Sequence, residues 1–209
     1  ERTIPEETKK KIGLFCNVST EAVIEAVDVP SIYEVPLMFH KGGLDDLIVD
    51  LLHIEAGPPD LRAWQAFSDR MKAAKDVVTI AVVGKYTQIR DAYKSISEAI
   101  IHGGVANGVQ VKVDWVDSEK VELDGAEALL GGAHGILIPG GFGDRGVEGM
   151  VLAAKYARER NVPFLGICLG MQCAVIEFAR DVAGLAGADS SEFEAATPYY
   201  YSTYESPIS

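Results

Sequence analysis

The chain has 209 residues, of which 48% are hydrophobic and 24% charged, and this composition excludes a globally disordered protein. Its formal net charge of −12 argues against a surface for nucleic acid or for an anionic membrane, since such surfaces are basic. No apolar run approaches the roughly 18 residues that a membrane-spanning helix needs. Three cysteines without the spacing of a disulfide framework or a metal site indicate free thiols and a cytoplasmic location.

The first third of the chain predicts a mixture of short elements. Residues 12–18 form a short apolar run that predicts a buried strand, and residues 28–36 look extended because two prolines interrupt them. Residues 44–52 and 61–75 have apolar side chains at helical spacing and predict two helices. Charged residues end the second helix, so we expect a domain boundary between residues 75 and 76.

From residue 76 onward, apolar runs alternate with helical patterns. The predicted strands cover residues 77–83, 109–116, 135–139 and 162–165. Each of them is followed by a stretch with apolar side chains at helical spacing. This alternation predicts an α/β fold with a doubly wound, mainly parallel sheet, whose sites gather at the carboxyl ends of the strands.

The most informative motif is Gly-Ile-Cys-Leu-Gly at residues 166–170, directly after the last predicted strand. A glycine two residues to either side of a nucleophile permits a tight strand-to-helix turn from which the nucleophilic side chain projects. A helix that begins just after Cys168 would also favour its thiolate. The alternative is a buried structural cysteine, which is what we expect of Cys173.

A second glycine-rich segment, residues 140–143, follows the predicted strand over residues 135–139. It should therefore open on the same edge of the sheet as Cys168. A cysteine that attacks an amide creates an oxyanion, which the backbone N–H groups of Leu169 and of residues 140–141 could bind. Taken alone, the segment could equally be a flexible turn or a phosphate loop, although it lacks the lysine of a P-loop.

A catalytic base is harder to find in this sequence. A thiolate nucleophile is usually activated by a histidine, and all four histidines precede Cys168. They are His40, His53, His102 and His134. His134 stands just ahead of a predicted strand and His102 on a predicted helix, so we expect surface or structural roles for both. The sequence therefore predicts a nucleophile without its base.

Several motifs together resemble the class I glutamine amidotransferases, and most fully the CTP synthase family. Those of the glutaminase half lie at residues 92–95, 139–143, 145–150 and 166–172, and those of the synthetase half at residues 11–17 and 28–33. The resemblance implies that residues 1–75 end a P-loop-type α/β synthetase domain and that residues 76–198 belong to a flavodoxin-like glutaminase domain. Residues 199–209 match nothing in that family, so we expect an aberrant or disordered tail.

The resemblance also implies a reaction. In that family ATP phosphorylates O4 of UTP, and ammonia released from glutamine displaces the phosphate to give CTP. By the motif match, Cys168 forms the glutamyl thioester, with Gly141 and Leu169 in the oxyanion hole. Gly141, Gln172 and Glu192 would bind glutamine, since a carboxylate suits the substrate's α-ammonium group. Outside the resemblance, Glu192 would be a solvated surface acid.

For nucleotides the resemblance implies further contacts. The residues concerned are Lys11 and Phe15 for a nucleotide pocket, Asp28 and Val29 for the adenine site, and Arg145 and Gly146 for GTP activation. The full enzyme would use ATP with Mg²⁺ and would be a GTP-activated homotetramer that handles glutamine, UTP and CTP. Its magnesium-binding carboxylates would precede residue 1, so we predict no metal ligand in this sequence.

The sequence differs from the family in its catalytic base. The family's catalytic histidine and glutamate lie in a later His-Pro-Glu motif, and this sequence has no histidine after Cys168. We therefore expect a truncated piece of the family's enzyme, with little glutamine hydrolysis or CTP synthesis of its own. Two alternatives stay open: a non-catalytic assembly or binding module, and a cysteine-elbow hydrolase of the DJ-1-like type. Gln172 and Glu192 speak against the second.

Overall fold

A computed structural model describes residues 3–87, 90–194 and 197–201 of the chain. These residues form two compact units, and the division falls between Ala73 and Ala74. The described part of the first unit is built from helices and turns, whereas the second unit contains a parallel sheet with helices around it. The roles given to the two parts by resemblance stay predictions.

The first unit has its α-helices at the following positions. They are α1 Glu6–Cys16, α2 Val35–Lys41, α3 Leu44–Leu51 and α4 Arg62–Ala73. The last two confirm the helices predicted over residues 44–52 and 61–75. In α3 the apolar residues recur at helical spacing, so one side of the helix is apolar throughout its length.

The strand predicted over residues 12–18 is wrong, because α1 covers most of that stretch. Glu6 and Glu7 lie in the first turn of α1, where carboxylates interact favourably with the helix dipole. Asn17 ends the helix in the left-handed conformation, with φ 55°. Start and stop signals therefore outweigh a short apolar run. The extended conformation predicted for residues 28–36 is also cut short, since a helical turn begins at Ile32.

The second unit is organised around a four-stranded sheet with the order β2-β1-β3-β4, in which all strands are parallel. The strands are β1 Val77–Gly84, β2 Gln110–Asp117, β3 Gly135–Ile138 and β4 Phe164–Gly166. All four lie where the sequence predicts strands, and the α/β fold with a parallel sheet is confirmed. The chain runs from β1 outward to β2 and then returns to the other side of β1. The order therefore reverses between β1 and β3, which is where doubly wound sheets bind ligands.

Helices cover both faces of this sheet. They are α5 Lys94–Asn107, α6 Ser118–Asp124, α7 Ala126–Leu130, α8 Val147–Arg160 and α9 Leu169–Asp181. The main apolar cluster joins one face of the sheet to α8 and α9, with Ile138, Met150 and Ile176 each 1% exposed or less. α5 packs against β2, and the alternate β1 side chains Val78 and Ile80 face the groove that it lines.

A second, two-stranded sheet lies near the end of the described chain. It pairs β5 Asp189–Ser190 in parallel with β6 Tyr200–Tyr201. The first residues of the predicted tail over residues 199–209 therefore take part in backbone pairing. Residues 202–209 lie outside the described residues, so disorder there stays a prediction.

Candidate active site

Cys168 lies at the turn between β4 and α9, and its side chain is exposed. Its backbone has φ 53° and ψ −105°, a conformation that residues other than glycine rarely adopt. Leu169 begins α9, so the cysteine stands directly at a helix N-terminus. A strained residue with a projecting side chain at this position is the geometry of a nucleophile elbow.

The glycines on either side of Cys168 are required by close packing. A Cβ atom on Gly166 would lie 2.5 Å from the carbonyl carbon and oxygen of Gly170. A Cβ atom on Gly170 would collide with the carbonyl oxygen of Ile138 in β3. Lack of space, and not an unusual φ, therefore accounts for both glycines of the motif.

The segment of residues 140–143 lies against the elbow. A Cβ atom built on Gly140 would lie 3.6 Å from Cβ of Cys168, and one on Gly141 would lie 3.2 Å from Cδ2 of Leu169. The two segments meet because β3 and β4 pair in parallel and end at the same edge of the sheet. Gly140 thus lies beside the nucleophile and Gly141 beside Leu169, while the oxyanion role of Gly141 and Leu169 stays a prediction.

Sequence reasoning missed Lys85, which contributes directly to this edge. Lys85 follows β1, is 5% exposed, and its Nζ donates to the carbonyl oxygens of Phe142 (3.1 Å) and Gly143. Burial lowers the pKa of Lys85, and the nearby Cys173 and, more weakly, the carboxylates of Asp144 and Glu192 oppose that shift. The rule that pointed to Cys168, a functional residue just after a parallel strand, would have found Lys85 as well.

The predicted GTP-effector residues border the same loop. Arg145 donates from Nη2 to the carbonyl oxygen of Lys85 (2.9 Å) and from Nη1 to Glu119 (3.3 Å), and its guanidinium carbon lies 5.9 Å from the Tyr86 ring centroid. The Arg145 side chain is half exposed, so the guanidinium remains accessible. Gly146 has φ 70°, which glycine adopts without strain, and it begins α8 as its N-cap.

The two predicted glutamine-binding side chains come from different elements. Gln172 lies in the first turns of α9, and its Oε1 is buried without a hydrogen-bond partner among the described atoms. Glu192 is exposed in the turn that follows β5, and its backbone N–H donates to Oγ of Ser190 (3.2 Å). A buried acceptor with no protein partner is available to a bound donor.

The histidines of the second unit lie where surface or structural roles are expected. Nδ1 of His134 accepts from the backbone N–H of Thr79 (3.1 Å), and His134 immediately precedes β3. It therefore lies at the amino ends of the strands, opposite the edge that holds Cys168. His102 lies on α5, and His40 and His53 belong to the first unit. No histidine among the described residues completes a dyad with Cys168 by any hydrogen bond in the structure.

The predicted nucleotide-binding residues of the first unit lie on α1 and in the irregular segment around residues 28–29. Lys11 and Phe15 lie one helical turn apart on α1, where both are exposed. Asp28 is exposed in the irregular segment before Pro30. Val29 lines a cavity with residues of α2 and α4, and Lys11, Phe15 and Asp28 are not in its lining. Their nucleotide roles stay predictions.

The cysteines are free, as expected, and differ in exposure. Cys16 and Cys168 are exposed, whereas Cys173 is fully buried in the core, as expected from the sequence. Burial raises the pKa of the Cys173 thiol to about 12. Within the described ranges, the structure has no helix long and apolar enough to span a membrane, and no group of three or more histidine, cysteine and acidic side chains able to hold a metal ion.

Family models match both parts of the sequence. The model for glutamine amidotransferase class-I matches residues 88–201, and the model for the CTP synthase N-terminus matches residues 1–54. A solved structure of the Trypanosoma brucei CTPS glutaminase domain with bound acivicin is 44% identical. It superposes with a TM-score of 0.55 over 58% of this chain and 48% of that chain.

Curated relatives agree with these models. The chain is 58% identical over 195 residues to a CTP synthase of Paracoccus denitrificans, and 52% identical over 199 residues to one of Pelotomaculum thermopropionicum. These matches cover 93% and 95% of this chain but only 36% and 37% of the relatives, so the chain spans little more than a third of their length. The chain belongs to the class I glutamine amidotransferases and, within them, to the CTP synthase family.

Proposed function

We propose that Cys168 is the nucleophile of a glutaminase site. The Cys168 thiol gives up its proton and its sulfur attacks the side-chain amide carbon of glutamine, so that a C–S bond forms; the C–N bond then breaks as the leaving NH2 group takes up a proton and departs as ammonia. Water hydrolyses the resulting thioester to glutamate and restores the thiol. The carrying observation is the strained Cys168 backbone at the N-terminus of α9, beside the glycine segment of residues 140–143. The N–H groups of Gly141 and Leu169 would bind the oxyanion that forms before the thioester.

Recognition of glutamine is assigned to Gly141, Gln172 and Glu192. The buried, unpartnered Oε1 of Gln172 would accept a hydrogen bond from the substrate. The exposed carboxylate of Glu192 would bind the α-ammonium group through a charge-assisted hydrogen bond. Lys85 would hold the glycine segment in place by donating hydrogen bonds to the carbonyl oxygens of Phe142 and Gly143.

As part of a longer enzyme, the chain would deliver ammonia to the ATP-dependent amination of UTP to CTP. Identity of 50–58% to CTP synthases supports this reaction. The nucleotide residues would be Lys11, Phe15, Asp28 and Val29, with GTP acting near Arg145 and Gly146. We include Mg²⁺ as the partner of ATP, a homotetramer and a cytoplasmic location in the proposal. The free thiols of the chain fit a reducing compartment.

The proposal is tested with 6-diazo-5-oxonorleucine, an electrophilic glutamine analogue. We expect one adduct on Cys168 by mass spectrometry, none in Cys168→Ser, and slower labelling when glutamine is present. Steady turnover of glutamine should be weak, because none of the histidines that the structure describes forms a hydrogen bond with Cys168.

Two results would overturn the proposal. Cys168 that reacts with iodoacetamide but is not protected by glutamine would favour a cysteine hydrolase of another specificity. A chain that does not react with the analogue, but assembles with full-length relatives into particles of native mass, would favour a binding module.

A further inference from the structure

One side chain far from Cys168 is bound to three separate partners. Arg180 lies in the last turn of α9, and its Nε donates to the carbonyl oxygen of Ala188 at 2.7 Å. Its Nη1 donates to both carboxylate oxygens of Glu148 in α8, at 2.9 and 3.0 Å, and its Nη2 donates to Asp189 at 2.8 Å. The guanidinium therefore joins α9, α8 and the start of β5.

The contact with Asp189 continues along the backbone to Glu192. The second oxygen of the Asp189 carboxylate accepts from the N–H of Ser190 at 2.7 Å. Oγ of Ser190, a residue only 3% exposed, accepts from the N–H of Glu192 at 3.2 Å. Arg180, Asp189, Ser190 and Glu192 thus form one continuous chain of hydrogen bonds.

The contacts of Arg180 fix the position of Asp189 relative to α9. The Arg180 and Asp189 side chains are 22% and 16% exposed, so water screens their ion pair weakly. A planar guanidinium can satisfy three acceptors in fixed directions, and a lysine ammonium cannot reproduce that arrangement. An exposed surface ion pair would carry much less positional information.

We propose that Arg180 is a positioning residue for glutamine recognition: by tying the segment of residues 188–190 to α9, it sets where the Glu192 carboxylate stands relative to Cys168. The inference rests on the proposed function. α9 begins next to the nucleophile, carries Gln172, and holds Arg180 in its last turn. The Arg180 contacts fix the segment that carries Glu192 to that same helix. The groups that would hold the two ends of glutamine are therefore supported by one helix.

The test measures how well ligands protect Cys168 from iodoacetamide, a reagent that does not need the glutamine site. Glutamine is compared with glutaramic acid, which keeps the amide but lacks the α-ammonium group. Arg180→Lys should raise the glutamine concentration for half-protection about tenfold and leave that for glutaramic acid within about twofold. Ser190→Ala, which removes the next link, should act in the same direction.

Arg158→Lys is the matched control. Arg158 also joins α8 to α9, through contacts of 2.7–3.1 Å with the buried Glu177, but it does not touch residues 188–192. It should leave protection by both ligands within about twofold of the parent chain. Thermal unfolding of every variant shows whether it is folded.

The outcomes separate the two ideas. Unchanged glutamine protection in Arg180→Lys and Ser190→Ala overturns the positioning role, and so does an equal loss for glutaramic acid, which would mean a general structural effect. If glutamine fails to protect even the parent chain, the proposed function falls, and this inference with it.

Discussion

The two units of the chain differ in how many of their side chains are buried. Among described residues up to Ala73, only Gly13 and Ser68 are buried, and Phe15 on α1 is 87% exposed. In the second unit an apolar cluster reaches from β1 to α9, and it includes Leu169, which directly follows Cys168. A strained backbone such as that of Cys168 persists only where surrounding packing over-determines it. In the second unit, packing contacts fix the positions of the candidate site residues. In the first unit, the candidate nucleotide residues are identified by family resemblance alone.

Hydrogen exchange should differ strongly between the two units. Amides of β1 and β3 should exchange about a thousandfold more slowly than those of α1, because opening the strands requires loss of the buried cluster. Exchange is followed by mass spectrometry on peptides from each element. Comparable protection of α1 would contradict this expectation, since it would mean that the first unit buries its apolar side chains in solution.

A pair of glycine substitutions compares a tightly packed position in the second unit with an open one in the first. Gly166→Ala places a Cβ atom 2.5 Å from the Gly170 carbonyl group, so the turn must shift and Cys168 must lose its position. We expect labelling of Cys168 by 6-diazo-5-oxonorleucine to slow about a hundredfold and the free energy of unfolding to fall by about 3 kcal/mol.

Gly57→Ala is the matched control from the first unit. A Cβ atom at Gly57 meets nothing within 4 Å, so labelling and stability should stay at the values of the parent chain. Labelling at the parental rate in Gly166→Ala would show that the elbow tolerates a shifted turn and that its geometry does not depend on tight packing.

The same contrast explains what could be predicted from the sequence. The strands, the elbow at Cys168 and its neighbour Gly141 follow from local patterns, since a buried strand followed by small residues has few structural solutions. The helix over residues 6–16 did not follow, because its apolar run is too short to distinguish a strand from a helix. The contacts of Arg180 could not be predicted either, since its partners lie 8 to 32 residues away.

The buried thiol of Cys173 should make the stability of the second unit depend weakly on pH. The folded state holds the pKa of Cys173 at about 12, against 9.0 for an ordinary thiol, so between these values the unfolded chain loses a proton that the folded chain keeps. Because the folded pKa is the higher one, the free energy of unfolding falls as pH rises above 9, by about 1 kcal/mol at pH 10.

The measurement must be a difference between variants. Burial lowers the pKa of Lys85, so the titration of Lys85 makes the free energy of unfolding rise with pH and opposes the effect of Cys173. Urea unfolding at pH 8 and pH 10 should show Cys173→Ala losing about 1 kcal/mol less than the parent chain, while Cys16→Ala, which keeps Cys173, should lose as much as the parent. Equal losses in all three would mean that the core admits water to Cys173, and the packing beneath the elbow would then be looser than the contact distances indicate.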